Sequence, residues 1–285
     1  MIGNGYGNSM FLATHGILAR SESTPAFSFL LDTYSGASAA YSLRQLRSAY
    51  TGDAIRVRRS SDNAEQNIGF VNNVLDTASL LTFCGAGNGF VTTWYDQSGN
   101  AKNTTQTTAI NQPRIVNAGS IDLVNSKPAI LADGINDNLT NTTLSLTNPT
   151  SIFTVVDKVG NSGNFGLFDS GFGLSGAFLL SGTGIYFYQN GSSFSPQYTN
   201  NNQSLLVAKT ATTGTNWELY GNNTTVTNGG QNIGSQIGTV INLFTRSPGN
   251  LQSNMYMQEF IVWNSNQMTN RAAIQTQINT YYTIY

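Results

Sequence analysis

From Ser151 to Trp263 the sequence is cut by Gly, Asn and Ser into short apolar runs: 151–157, 165–168, 177–180, 185–188, 205–209, 216–220, 240–243 and 255–263. Ala54–Arg58, Phe90–Tyr95 and Pro128–Leu131 continue the pattern upstream. Many short strands with regular turn signals specify an antiparallel sandwich or barrel. Charge agrees, because Asp, Glu, Lys and Arg make up only 9% of the chain, against about 25% in an ordinary soluble domain. Asn, Gly and Ser supply turns, while Thr, Val, Ile, Tyr and Phe supply strands. The expected fold is all-β, an antiparallel β-sandwich with a few peripheral helices.

Two segments carry helical spacing. Ala39, Leu43, Leu46 and Tyr50 predict a helix over Ser38–Tyr50. Near the end, Asn270 is placed as an N-cap, followed by an apolar stripe of Ala273, Ile274, Ile278 and Tyr281. Val71 to Phe83 reads as a short helix or loop. Composition does not shift between the halves, so residues 25–285 are read as one domain behind an N-terminal extension, 1–24. In that extension Met10, Phe11, Leu12, Ile17 and Leu18 could form an apolar anchor.

Several functions are excluded or disfavoured. The formal net charge is −1, and Arg56, Arg58 and Arg59 are the only basic cluster, too few for counterion-release binding to nucleic acid. One cysteine, Cys84, and one histidine, His15, cannot build a disulfide framework or a structural zinc site. Cys84 reads as a small buried hydrophobe. No run approaches the ~18 apolar residues of a membrane-spanning helix, so membrane insertion is not expected. Met1–Arg20 lacks the basic leader of a secretory signal.

The first half carries AAYSLRQLRSAYTGDAIRVRRSSDNAEQNIGF, then TFCGAGNGFVTTWYDQSGN and KPAILADGINDNL. These blocks resemble the N-terminal portion of the α-L-arabinofuranosidase B catalytic domain, including its Y-D-Q-S-G-N loop, here Tyr95–Asn100. Similar blocks occur in phage and marine-bacterial proteins with laminin-G-like domains. From Ser151 on, Trp217–Asn222, Ile233-Gly234 or Ile237-Gly238, Met257–Trp263 and a last helix with Ile278, Tyr281 and Tyr285 resemble a concanavalin A-like (laminin-G-like) jelly roll. The resemblance implies a retaining glycosidase with two carboxylates about 5 Å apart. The segments matching the family's nucleophile and acid/base are Phe168-Asp169-Ser170-Gly171 with the following SGAFLLSGTG, and Phe244–Asn250. They hold neither that Glu nor that Asp. Past residue 150 the carboxylates are Asp157, Asp169, Glu218 and Glu259. The expectation is therefore a scaffold without the chemistry, not an enzyme, with a glycoside hydrolase using relocated carboxylates as the alternative.

Other polar clusters admit two readings. Asp96, Gln97 and Asn100 suit either an Asx-type turn or a sugar site. Asp133, Asn136 and Asp137 suit the same turn chemistry or a weak Ca²⁺ site; no other cofactor is expected. Arg44, Arg56, Arg58 and Arg59 read as a structural network with Asp53, Asp62 or Glu65. Tyr186, Tyr188 and Tyr198 could stack on sugar rings, whereas Trp94, Trp217 and Trp263 read as core. An uncharged, Asn/Thr-rich surface without disulfides suggests a phage virion structural protein: a head decoration, head fibre or tail-associated subunit at the virion surface. It would assemble as an oligomer, with itself or other virion proteins, for host adhesion through surface glycans. The alternative is a secreted, extracellular bacterial lectin or adhesin.

Overall fold

The structure is a computed structural model. It describes residues 28–147, 149–159, 164–170, 175–181, 184–189, 192–194, 202–210, 218–228, 237–247 and 250–285; for 164–165, 175–181, 184–189, 192–194, 226–228, 237, 246–247 and 250–251 only the backbone is described. The principal elements are α1 (Leu30–Thr33), β1 (Ala39–Ser42), β2 (Ile55–Arg59), β3 (Glu65–Ile68), α2 (Thr77–Cys84), β4 (Gly89–Trp94), β5 (Thr104–Thr105), β6 (Arg114–Asn117), β7 (Ile130–Asp133) and β8 (Leu139–Asn141). They continue with β9 (Ser151–Lys158), β10 (Asn164–Asp169), β11 (Ser175–Ser181), β12 (Gly184–Gln189), β13 (Ser192–Phe194), β14 (Ser204–Lys209), β15 (Glu218–Gly221), β16 (Thr224–Asn228), β17 (Ile241–Leu243), β18 (Asn254–Trp263) and α3 (Arg271–Tyr282).

All ladders are antiparallel, and they form two layers. In the first, β18 pairs β1 at one end and β7 at the other; β9, β14, β15 and β16 follow on its other side. In the second, β3, β2, β4, β5, β8, β17, β10, β11, β12 and β13 follow one another. Strand β6 pairs both β4 and β7, so the two layers are one ladder turned over on itself. This is the expected all-β sandwich. Among the described residues no helix is long and apolar enough to cross a membrane.

Alternation along the strands sorts side chains to the two faces. Ile55, Val57, Val91, Trp94, Leu139, Leu243, Phe168, Met257 and Phe260 fill the space between the layers. The first layer buries its outer face too: Phe153, Val155, Leu205, Val207, Ile261 and Trp263 pack beneath Leu30 and Leu31 of α1 and Ile274, Ile278 and Tyr282 of α3. A β-bulge between Val155 and Val156, opposite Met257 and Glu259, leaves Gln258 unpaired in the register. Cys84 is buried and its thiol is pushed up by that burial, as expected of a small core residue.

Three local expectations need correction. The helix predicted over Ser38–Tyr50 is strand β1 followed by irregular chain through Tyr50. Ala39, Ala40, Tyr41 and Ser42 are all fully buried, because Ala39 and Tyr41 face the core between the layers while Ala40 faces the helices. A strand buried on both faces loses the alternation that would distinguish it from a helix. Val71–Phe83 divides into a hairpin, Phe70–Val71 with Val74–Leu75, and α2, whose N-cap Asp76 accepts the Ser79 N–H at 3.0 Å. Asn270 precedes α3 without capping it: its amide donates to Gln267 instead. The buried stripe of α3 is Ile274, Gln275, Ile278 and Tyr282, with Ala273 exposed and Tyr281 half-buried.

Candidate active site

Among the described residues no helix lies over the outer face of the second layer to match α3. Its register aligns one row of side chains: Arg56 with Thr93, Thr93 with Thr105, Thr105 with Thr140, Thr140 with Asn242, and Asn242 with Asp169. Directly opposed residues of an antiparallel pair lie on the same face. Their chain neighbours Trp94, Leu139, Ile241, Leu243 and Phe168 belong to the core between the layers, so the row faces outward. The backbone register continues from Asp169 to Ala177 and from Ala177 to Tyr188. Thr140 donates its hydroxyl to Asn242 Oδ1 at 2.9 Å. Asn242 and Asp169 are both buried at 4% exposure, so a carboxylate lies low in the centre of this face. No other residue of β4, β5, β8, β17 or β10 is acidic.

Two backbone features hold this part of the sheet. Phe244, fully buried, takes a positive φ of 68°, an outlier for a bulky side chain. It ends β17, donating its N–H to Leu167 and accepting from Ser253 N–H. Gly238 approaches Ser170 so closely that a Cβ there would lie 2.6 Å from the Ser170 Cβ. Ser170, next to Asp169, in turn accepts the Val240 N–H.

The residues singled out from sequence are dispersed. Asp96 is buried and accepts from the N–H groups of Ala40, Ser98 and Lys102 at 2.8, 2.9 and 2.9 Å and from the Ser98 hydroxyl at 2.7 Å. Gln97, fully buried, accepts from Leu46 N–H and donates to the carbonyls of Ser42 and Arg44. Asn100 donates to the carbonyls of Ala37 and Ser38. This loop is spent on clasping β1 and the chain after it. Asp133 accepts from Ile135 N–H and Asp137 from Asp133 N–H, closing a turn with Asn136 half-buried within it. Burial, reinforced by the Asp133 charge, pushes the Asp137 carboxyl up to about 7. No group of three or more His, Cys, Asp or Glu among the described residues could hold a metal ion. Tyr186 and Tyr188 lie on β12; Tyr198 and the segment containing Met10, Phe11, Leu12, Ile17 and Leu18 lie outside the described residues.

Arg56 and Arg59 pair with carboxylates expected of them, whereas Arg58 bonds neutral oxygens and Arg44 pairs with Glu259 instead. Arg56 pairs with Glu65 at 2.6 Å and Arg59 with Asp62 at 2.6 Å, while Arg58 donates to Gln112, Asn63 and Ala109. Arg44 and Glu259 make a fully enclosed pair at 2.8 and 2.9 Å. Glu259 also accepts from Ser42 and Tyr282, and the guanidinium lies 5.0 Å from the Tyr281 ring centre. With 0% exposure, Glu259 cannot meet a substrate. Glu218 is held by Lys209 at 2.5 Å and by the Tyr220 hydroxyl at 2.7 Å. Burial acts to raise its pKa, but these two donors leave it below the ordinary value.

Comparison with known proteins bears on this geometry. The family model "Alpha-L-arabinofuranosidase B, catalytic" matches residues 32–132. A GH54 α-L-arabinofuranosidase soaked with a cyclic sulfate inhibitor superposes with a TM-score of 0.67 at 18% identity, over 87% of this chain. A Glu-to-Gln mutant of a GH54 α-L-arabinofuranosidase soaked with 4-nitrophenyl α-L-arabinofuranoside gives 0.69 at 17% identity, again over 87%. An arabinofuranosidase complexed with arabinofuranosyl-α-1,2-xylobiose gives 0.63 at 19% identity. This chain spans 64% of the length of each. No curated protein matches it. The fold is thus a β-sandwich like that of the GH54 arabinofuranosidase catalytic domain. The expectation of a non-catalytic virion protein is corrected by these matches: they lead to a glycoside hydrolase scaffold, and nothing in them points to a capsid or tail. That expectation rested on a low-charge composition, on blocks shared with phage proteins and on the missing Glu and Asp of the family's two catalytic segments, none of which identifies a capsid or tail.

Proposed function

We propose that this chain is an arabinofuranosidase-type glycoside hydrolase domain acting on α-L-arabinofuranosides at the open face of its second layer. The observation that carries the reading is Asp169, the acidic residue low in the centre of that face and in register with Asn242. The catalytic-domain match over residues 32–132 and the shared fold support it. Glycosidic cleavage commonly uses one carboxylate at the anomeric carbon and one acid that protonates the leaving oxygen. Asp169 takes the first role. Thr140 and Asn242, already joined by a hydrogen bond, are neutral polar neighbours that can position sugar hydroxyls. The other side chains on the row carry no acid, so the proton for the leaving oxygen comes from outside it.

The test is release of 4-nitrophenol from 4-nitrophenyl α-L-arabinofuranoside. The wild-type protein turns it over, and Asp169→Asn, still folded by far-UV circular dichroism, lowers kcat by at least about a hundredfold, as removal of a group that stabilises transition-state charge does. Glu218→Gln retains activity, because that carboxylate is engaged by Lys209 and Tyr220. Absence of turnover by the wild type defeats the reading. Full activity in Asp169→Asn removes Asp169 from it.

A further inference from the structure

On the opposite side of the sandwich, beyond the end of α3, lies a groove of about 590 Å³. Asn125, Asp157, Lys158, Asn202, Gln203 and Thr283 are among the residues that line it. Its volume falls in the range of small-ligand sites, about 300–1,000 Å³. The walls are fixed from behind. Asn125 and Ser126 adopt positive φ angles of 49° and 61°, turning the hairpin that joins Leu123–Val124 to Lys127–Pro128. The Asn125 amide donates to the carbonyls of Tyr282 and Thr283 at 2.8 and 2.7 Å, tying the hairpin to the end of α3. Gln258, the bulge residue, donates to the carbonyls of Val124, Lys127 and Pro128 from the other side.

The floor of the groove continues as a row of its own. Asp157 is opposite Tyr256, Tyr256 opposite Leu131, and Leu131 opposite Arg114. Ile130, Ala132, Met255 and Met257 point to the core between the layers, so Leu131, Tyr256 and Asp157 face outward together, all half-buried. Asp157 accepts no hydrogen bond and joins no ion pair among the described residues, and burial raises its pKa. An under-used carboxylate thus lines a cleft together with amides and a hydroxyl, and Tyr256 is its neighbour on the same sheet face, just outside the lining.

We infer that this groove is a second saccharide-binding site, separate from the open face, in which Asp157 and the neighbouring amides bind the hydroxyls of a neutral sugar and Tyr256 flanks its ring. The chemistry selects a neutral polyhydroxylated ligand. Asp157 and Lys158 offset each other in charge, and Asn125, whose amide N–H groups are held by the carbonyls of Tyr282 and Thr283, presents its side-chain oxygen as a second acceptor for sugar hydroxyls. A carboxylate accepting from sugar hydroxyls gives the stronger, charge-assisted kind of hydrogen bond. The inference does not depend on the catalytic reading, because it concerns binding without turnover.

The experiment is a titration of the ¹⁵N-labelled full chain with xylotriose and, separately, arabinotriose, followed by amide chemical shifts. At least one sugar shifts the amides of Asn125, Asp157 and Thr283, and Asp157→Asn weakens that binding by about tenfold or more, the loss expected on removing a charged hydrogen-bond partner. The isosteric variant keeps the remaining spectrum, which establishes its fold. Shifts confined to Thr140, Asn242 and Asp169, no shift with either sugar, or equal affinity in wild type and Asp157→Asn each overturn the inference. Loss of turnover with binding at the groove intact would sink the catalytic proposal and leave this one standing.

Discussion

Replacing Glu259 with Gln tests the most enclosed charge pair in the molecule. The side chain of Glu259 is 0% exposed and that of Arg44 is 2% exposed. Two hydrogen bonds join them, and Ser42 and Tyr282 donate to the same carboxylate. Gln preserves the shape but removes the charge and turns one acceptor into a donor. Hydrogen bonds to charged groups contribute about 1.5–3 kcal/mol, neutral ones about 0.5–1.5 kcal/mol. Downgrading both Arg44 bonds and leaving its guanidinium buried without a counter-charge should cost about 3–5 kcal/mol. Urea unfolding of Glu259→Gln, Arg44→Met and the double variant supplies the check. The double variant should cost less than the sum of the single ones, with a coupling of about 2 kcal/mol or more. A cost below about 1 kcal/mol for Glu259→Gln, or additive single effects, would refute the reasoning.

Asp137 makes stability depend on pH in an unusual direction. Its folded pKa of about 7 lies above the ordinary 3.8, so between these values the native state holds more protons than the unfolded one. Stability therefore falls as pH rises through that window, by up to a few kcal/mol. Asp137→Asn removes this contribution and gains most, relative to wild type, at pH 8; an equal wild-type/variant difference at pH 4.5 and pH 8 would disprove it. Asp96→Ala strands the buried N–H of Ala40 and the half-buried N–H groups of Ser98 and Lys102 and should destabilise by about 2 kcal/mol or more, read as a lower urea midpoint. A loss under about 1 kcal/mol would show that water replaces the carboxylate.

Strands β9–β12, β14, β15, β17 and β18 were legible because each is an apolar run bounded by turn residues, and Ile55 and Val57 alternate cleanly with Arg56 and Arg58; the polar runs of β13 and β16, Ser192–Phe194 and Thr224–Asn228, carried no such signal. Strand β1 was not, because tertiary burial on both faces erased its period. The candidate site was hidden for a different reason. Thr93, Thr105, Thr140 and Asn242 are ordinary residues within separate strands, and only the register makes them neighbours. The triplets Leu139-Thr140-Asn141 and Ile241-Asn242-Leu243 carried a local signal, a polar residue between strand positions, but nothing in sequence says that two such triplets meet. Asp96 and Asp133 drew notice as oxygen-rich loops, and their oxygens are occupied in holding the turns that place them there.

The position of β18 has a kinetic consequence. It is the hub of the first layer, pairing β1, β7 and β9, yet it lies near the end of the chain. The Arg44–Glu259 pair closes a separation of 215 residues. During synthesis β1 leaves the ribosome long before β18, its ladder partner among the described residues, exists, with its apolar residues and the Arg44 charge uncommitted. The β2–β3–β4 part of the second layer and the β9–β14–β15–β16 part of the first can each form from nearby chain, whereas β1 must wait for loop closure across nearly the whole domain. Topologies dominated by such distant pairings fold slowly and expose unpaired edges while they do so. A late stall in translation would therefore leave a half-sandwich with its apolar faces open, and the last strand sets the moment at which that exposure ends.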